Sequence, residues 1–122
     1  INAKRDWGHA KDYVYGMWLM MQRDNPDDYV LSTNEYHSVR EFVELAFSHK
    51  NINIVWRGEG VNEKGYDADT DNVLVEISPK YFRPCEVEEL LGDSTKARNE
   101  LGWEHKFSFK ELVSDMMEAD KL

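Results

Sequence analysis

The run from Tyr13 to Met21, YVYGMWLMM, constrains this chain more than any other stretch, because it is apolar on nearly every side of the helix it predicts. Ala10, Val14, Met17, Trp18 and Met21 repeat with the spacing of one helix face, which sets a helix over about residues 9–23. Tyr13, Tyr15, Leu19 and Met20 lie off that face, so only Lys11, Asp12 and Gly16 interrupt the apolar surface. A helix of this kind is buried on more than one side. A chain of 122 residues holds one core, so the expectation is a packing partner that the chain does not itself supply.

The run is not a membrane span, since Gly16 breaks it and it is far shorter than the roughly 20 residues a span needs. No basic-then-apolar signal peptide is read from the sequence. A formal net charge of −9 argues against nucleic acid and anionic membranes as partners, because both are held by an excess of Lys and Arg. Cys85 is the only cysteine, which excludes an intrachain disulfide and a cysteine zinc site and fits a reducing compartment, with the cytoplasm as the expected location. His9, His37, His49 and His105 lack metal-ligand spacing and read as structural or exposed, so no metal is expected. Glu86, Glu88 and Glu89 read as solvated surface on so acidic a chain. Gly58 and Gly60 are followed by Glu63, a turn rather than a dinucleotide loop, and neither a Walker motif nor a Tyr-x-x-x-Lys pair occurs.

Along the rest of the chain, Asn25-Pro26-Asp27-Asp28 predicts a turn and Tyr29–Thr33 a short strand. Ser38 with Glu41 forms a capping-box pattern ahead of a helix whose stripe is Val39, Phe42, Val43, Ala46 and Phe47, ending near His49. Asn51–Trp56 and Val73–Ile77 read as strands, and residues 61–72 between them as a polar loop. Pro79 and Pro84 bracket an extended passage. Asp93 is placed to cap a short helix that Gly102 terminates. A last helix starts at Ser108, with Glu111 completing a capping box, Phe107 and Leu112 forming a staple, and Leu112, Val113, Met116 and Met117 facing a core.

Two arginines stand out as anion contacts. Arg5 precedes the first helix, and Arg83 lies in an aromatic, extended stretch where its planar fork could hold a phosphate bidentately. Spacing alone favours the plainer alternative, an ion pair with Asp6 or Glu86.

The segments NAKRDWGHAKDYVYGMWLMMQ, SVREFVELAF, IVWRGEG and VEISPKYFRPCEVEELLGDSTKARNELGW together resemble the carboxyl-terminal third of the GDP-mannose 4,6-dehydratase family, extended short-chain dehydrogenase/reductases. The resemblance covers essentially the whole chain, and Arg-Asp-Trp-Gly-His-Ala-Lys-Asp-Tyr-Val is its most specific motif. Cys85 stands where the family usually has threonine, Asn34 where glycine is frequent, and His105 where proline is frequent.

The resemblance implies an α/β fold, the carboxyl-terminal substrate-binding part of an extended reductase, with about four helices, three short strands and no Rossmann domain. Residues 1–122 would form the GDP-sugar-binding part, and residues 1–36 would normally pack on the absent Rossmann domain. The family is an NADP-dependent lyase that converts GDP-mannose to GDP-4-keto-6-deoxymannose, moving hydride from C4 to C6 around a loss of water. Its cofactor and its catalytic Tyr, Lys, Thr or Ser and Glu belong to the Rossmann domain, so this chain by itself is expected to bind no NADP and to be inactive. By the same resemblance Arg5 and Arg83 match arginines that approach the diphosphate, and Glu86 an acid that contacts ribose. GDP-mannose or GDP is then the expected ligand, with homo-oligomerisation or association with the Rossmann part. A non-catalytic sugar-nucleotide-binding or interaction module is the alternative.

Overall fold

The computed structural model describes residues 1–82 and 90–120. Its elements run β1 (Lys4–Arg5), α1 (Ala10–Met21), β2 (His37–Ser38), α2 (Val39–Ser48), β3 (Ile54–Arg57), a 3-10 turn (Gly60–Asn62), β4 (Lys64–Asp67), β5 (Val73–Glu76), α3 (Thr95–Leu101) and α4 (Phe109–Ala119). β1 and β2 form an antiparallel pair in which Arg5 faces His37, and β3, β4 and β5 form an antiparallel meander.

Local chemistry accounts for the helix starts. Ser38 Oγ accepts from the Glu41 amide at 3.1 Å while Glu41 Oε1 accepts from the Ser38 amide at 3.0 Å, the reciprocal box read from the sequence. At α4 the Ser108 hydroxyl accepts from the Glu111 amide at 3.2 Å. α1 begins instead on His9, whose Nδ1 accepts from the Lys11 amide at 3.0 Å. α3 has Ser94 at its N-cap position, and the neighbouring Asp93 carboxylate takes the Thr95 amide at 3.0 Å. Gly102 ends α3 at φ +67°, a left-handed conformation that costs glycine little.

Among the described residues the buried apolar core is Ala97, Trp103, Phe109, Leu112 and Val113. Phe109 joins it to an aromatic cluster, lying 6.1 Å from Phe42, which is in turn 4.7 Å from Trp7. The meander is tied to α2 by Trp56 Nε1 donating to Glu44 at 2.8 Å and by Arg40, which pairs with Glu63 at 2.7 Å and lies over the Trp56 ring.

The first helix is turned opposite to the expectation from its pattern. Only Asp12 and Gly16 of α1 are buried. Val14, Met17 and Trp18 are each more than half exposed, and Met21 is 81 % exposed. Of the three residues that interrupt the apolar surface, Asp12 and Gly16 therefore face the chain's own core, while Lys11 is exposed. Asp12 accepts from the Lys106 and Phe107 amides at 2.9 and 3.1 Å, and its carbonyl accepts from Trp103 Nε1 at 2.8 Å. Gly16 lets Leu31 and Trp103 close on the helix; a Cβ there would stand 2.5 Å from Leu31 Cδ1 and 3.1 Å from Trp103 Nε1. The expected burial of this helix on more than one side is not met within the chain.

Other expectations are corrected by pairing. Residues 29–33 are not a strand, because a strand needs a hydrogen-bonded neighbour and no ladder forms there. The polar stretch at 61–72 is not simply a loop: it supplies β4, the centre of the meander, where Gly65 lies under the Ile54 and Trp56 side chains. Residues 79–81 form a turn, with the Tyr81 and Phe82 amides both donating to the Ser78 carbonyl, rather than an extended passage. Phe107 stacks on His9 at 4.0 Å, and Met116 is half exposed rather than facing the core.

Candidate functional site

The sequence between Gly8 and the chain's start builds a junction rather than a loose tail. Arg5 on β1 is half-buried and its Nη1 donates to the Lys4 carbonyl at 2.9 Å. The next residue, Asp6, spends its carboxylate elsewhere. Oδ1 accepts from the Thr33 amide at 2.9 Å and the Thr33 hydroxyl at 2.6 Å, and Oδ2 from the Asn34 amide at 3.1 Å and the Gly92 amide at 3.4 Å. Four donors on one carboxylate fix the 33–34 loop and Gly92 against β1, since hydrogen bonds to a charged acceptor are the stronger kind. Trp7 Nε1 donates to the His37 carbonyl at 2.9 Å, which holds β2 in place.

Asn34 completes this junction. Its backbone is left-handed, φ +64°, a conformation asparagine tolerates better than most side chains. Its Oδ1 accepts from the Ser94 amide at 2.9 Å and from the Ser32 and Ser94 hydroxyls at 3.0 Å. The asparagine thus adds bonds that a glycine could not. Gly8 has a different role from a simple hinge: the Tyr13 hydroxyl occupies the space its Cβ would need. Burial first, then the charges of Asp6 and Asp12, push the Tyr13 phenol above its usual range, so it stays neutral and is poorly suited to act as a base.

Of the residues singled out from the sequence, Arg5 stands at this junction, while Arg83 and Glu86 lie outside the described residues. The chain that follows them returns to the same place. The Leu90 amide donates to the Lys4 carbonyl at 2.9 Å, two residues before Gly92 meets Asp6.

A second constellation was not read from the sequence. His37 Nε2 lies 3.0 Å from Glu35 Oε1, its Nδ1 lies 2.9 Å from Glu41 Oε2, and its ring stacks on Phe109 at 4.0 Å and 6°. Burial pulls the imidazole's pKa down, but the two carboxylates outweigh it and the net shift is upward. Glu41 is held below the ordinary carboxylate range, chiefly by its bond to His37 and then by the Ser38 amide. The four-residue spacing of His37 and Glu41 at a helix start was the available signal. These residues border a shallow groove of about 540 Å³ that also includes Glu44 and Lys110, too acidic a lining to attract a phosphate.

Among the described residues no group of three or more His, Cys, Asp or Glu side chains is placed to hold a metal ion, and no helix is long and apolar enough to cross a membrane. What the arrangement offers is an arginine on a fixed strand beside an outward apolar helix.

Comparison with known proteins follows the same boundaries. Residues 1–116 match a family model described as GDP-mannose 4,6 dehydratase. The chain is 58% identical over 120 residues to GDP-mannose 4,6 dehydratase of Drosophila melanogaster, covering 98% of this chain and 30% of that protein. It is 53% identical to the Homo sapiens GDP-mannose 4,6 dehydratase, with 98% and 32% covered, and 52% identical to the Sinorhizobium fredii enzyme, with 98% and 34% covered. The chain thus spans about a third of the length of the curated relatives it matches. Its fold is similar to RMD from Pseudomonas aeruginosa, solved with NADPH, at a TM-score of 0.65 and 17% identity over 97% of this chain and 33% of that one. The Bordetella bronchiseptica enzyme WbmG, solved with NAD and UDP, gives a TM-score of 0.65 and 20% identity over 93% of this chain and 31% of its own.

Proposed function

We propose, from the premise that this chain belongs to the GDP-mannose 4,6-dehydratase family, that it is the part of such an enzyme that grips the GDP end of GDP-mannose. On this reading Arg5 and Arg83 hold the diphosphate and Glu86 meets the ribose hydroxyls. The outward face of α1 rests on the Rossmann domain that carries NADP. The observation that carries the reading is the orientation of α1, polar side inward and apolar side outward, five residues after Arg5 on a strand fixed by Asp6 and Trp7.

Binding at GDP serves chemistry at the sugar. Energy gained on a part of the substrate that does not react holds the hexose in a reactive geometry elsewhere, so these arginines position and do not transfer protons. NADP would supply the hydride chemistry of the whole enzyme, but the residues present here do not form its cradle. The sequence has neither a Gly-x-Gly-x-x-Gly loop nor a Tyr-x-x-x-Lys pair. The chain alone is accordingly expected to bind nucleotide sugar without dehydrating it.

Calorimetric titration tests the nucleotide site. GDP-mannose is expected to bind more tightly than millimolar, and Arg5→Ala or Arg83→Ala to weaken GDP and GDP-mannose alike by roughly 1.5–3 kcal/mol each. Equal affinities in wild type and variants would return both arginines to structural ion pairing, and absence of binding would leave the chain an interaction module.

The docking face gives a separate expectation. In the isolated chain, Val14, Met17, Trp18 and Met21 offer apolar area that a second copy can cover. Sedimentation should find the wild-type chain self-associated and the Met17→Glu, Trp18→Glu double variant monomeric, with native circular dichroism. A monomeric wild type at high concentration would remove this role for the face.

A further inference from the structure

We propose that Glu35, His37 and Glu41 form a proton-dependent latch between the 33–36 loop and α2, which opens at Glu35 when His37 loses a proton and so loosens the strand pair that carries Arg5. Both ring nitrogens of His37 lie within 3.0 Å of a carboxylate oxygen. A neutral imidazole has one N–H, so it can donate to one of these carboxylates while its other nitrogen faces oxygen lone pairs. Only the imidazolium satisfies both. The geometry therefore belongs to the protonated state.

The two carboxylates are not equally committed. Glu41 also accepts from the Ser38 amide and hydroxyl through Oε1, as part of the α2 cap. Among the described residues Glu35 holds its carboxylate by His37 alone. When the proton kept is the one on Nδ1 toward Glu41, deprotonation frees Glu35, and α2 stays capped through Glu41 Oε1. The loop it frees contains Thr33 and Asn34, two of the three residues through which Asp6 fixes β1, and His37 is itself the register partner of Arg5.

The groups facing the ring set its balance. Glu35 from the loop and Glu41 from α2 favour the cation, with Glu44 of α2 on the same groove. Arg5 across the β1–β2 pair and Lys110 on α4 oppose it, and the Phe109 ring that covers it desolvates it. The net upward shift agrees with carboxylate control. A folded-state pKa raised above the ordinary 6.5 means that the stabilising bonds are fully present below that value and are lost as pH rises through the folded pKa.

The effect on nucleotide affinity rests on reading Arg5 as a phosphate contact; the latch itself does not. NMR titration of the His37 ring, with amide exchange of residues 33–36, reads the latch on the chain alone. From about pH 6 to about pH 8.5, protection of the Thr33 and Asn34 amides is expected to fall about tenfold, with a midpoint matching that of His37. Glu35→Gln should lower the His37 midpoint, and His37→Gln should make protection independent of pH. A His37 midpoint at or below the ordinary value, or equal protection on both sides of it, would overturn the latch. GDP-mannose affinity over the same range should fall about threefold in wild type and stay flat in Glu35→Gln. A flat wild-type affinity beside a titrating His37 would overturn the coupling to Arg5. No binding at any pH would sink the nucleotide reading and leave the latch to the exchange result.

Discussion

Trp103→Ala is expected to remove a large share of the chain's stability. Trp103 is fully buried, packs within reach of Gly16, and donates from Nε1 to the Asp12 carbonyl. Removing a buried tryptophan costs roughly 3–5 kcal/mol through lost transfer energy and the cavity left behind. A small domain has only about 5–15 kcal/mol in total, and among the described residues Trp103 is the largest fully buried side chain. Trp103→Phe keeps most of the ring and loses the hydrogen bond, so it should cost about 1–2 kcal/mol. Urea titrations of both variants check the ladder; a small loss for Trp103→Ala would mean that α1 is not held through this ring.

The second large effect is expected at Asp12. Its carboxylate satisfies the Lys106 and Phe107 amides, part of the connection between α3 and α4. Asp12→Ala leaves two donors without their acceptor, at about 2–4 kcal/mol. Asp12→Leu is the more telling variant. It makes α1 more uniformly apolar, as its pattern invites, yet it should destabilise at least as much, because the connection needs an acceptor and not a hydrocarbon. A stable Asp12→Leu chain with native circular dichroism would show that those amides find another partner.

Those two residues also mark how far the sequence could be read. Four helices were legible, because Ser38 with Glu41, Ser108 and Gly102 act locally, within one turn of the residues they cap. The direction α1 faces was not legible. Periodicity locates an apolar stripe but cannot tell whether the stripe meets this chain or another surface, and here Asp12 and Gly16 take the inward side. β4 was missed because Lys64, Gly65, Tyr66 and Asp67 carry little hydrophobic signal; their place comes from pairing on both sides with β3 and β5. Tyr29–Thr33 is β-prone by composition and meets no ladder among the described residues.

At the candidate site, Arg5 was legible as a cation before a helix. The four-donor role of Asp6 was not, since its partners Thr33, Asn34 and Gly92 lie far along the chain. The His37 clamp left a partial trace in its spacing from Glu41. Glu35 two residues before it reads as ordinary acidic surface until the ring is seen between them.

The face of α1 also carries a chemical vulnerability. Met17 and Met21 present their thioethers to solvent, at 56 % and 81 % exposure, and oxidation would convert each to a polar sulfoxide. The same sulfurs, once covered by a docked surface, would be shielded from peroxide. Assembly through the proposed docking face would thereby protect the residues on which it depends, while an oxidised chain would carry two dipoles on that face and dock less well.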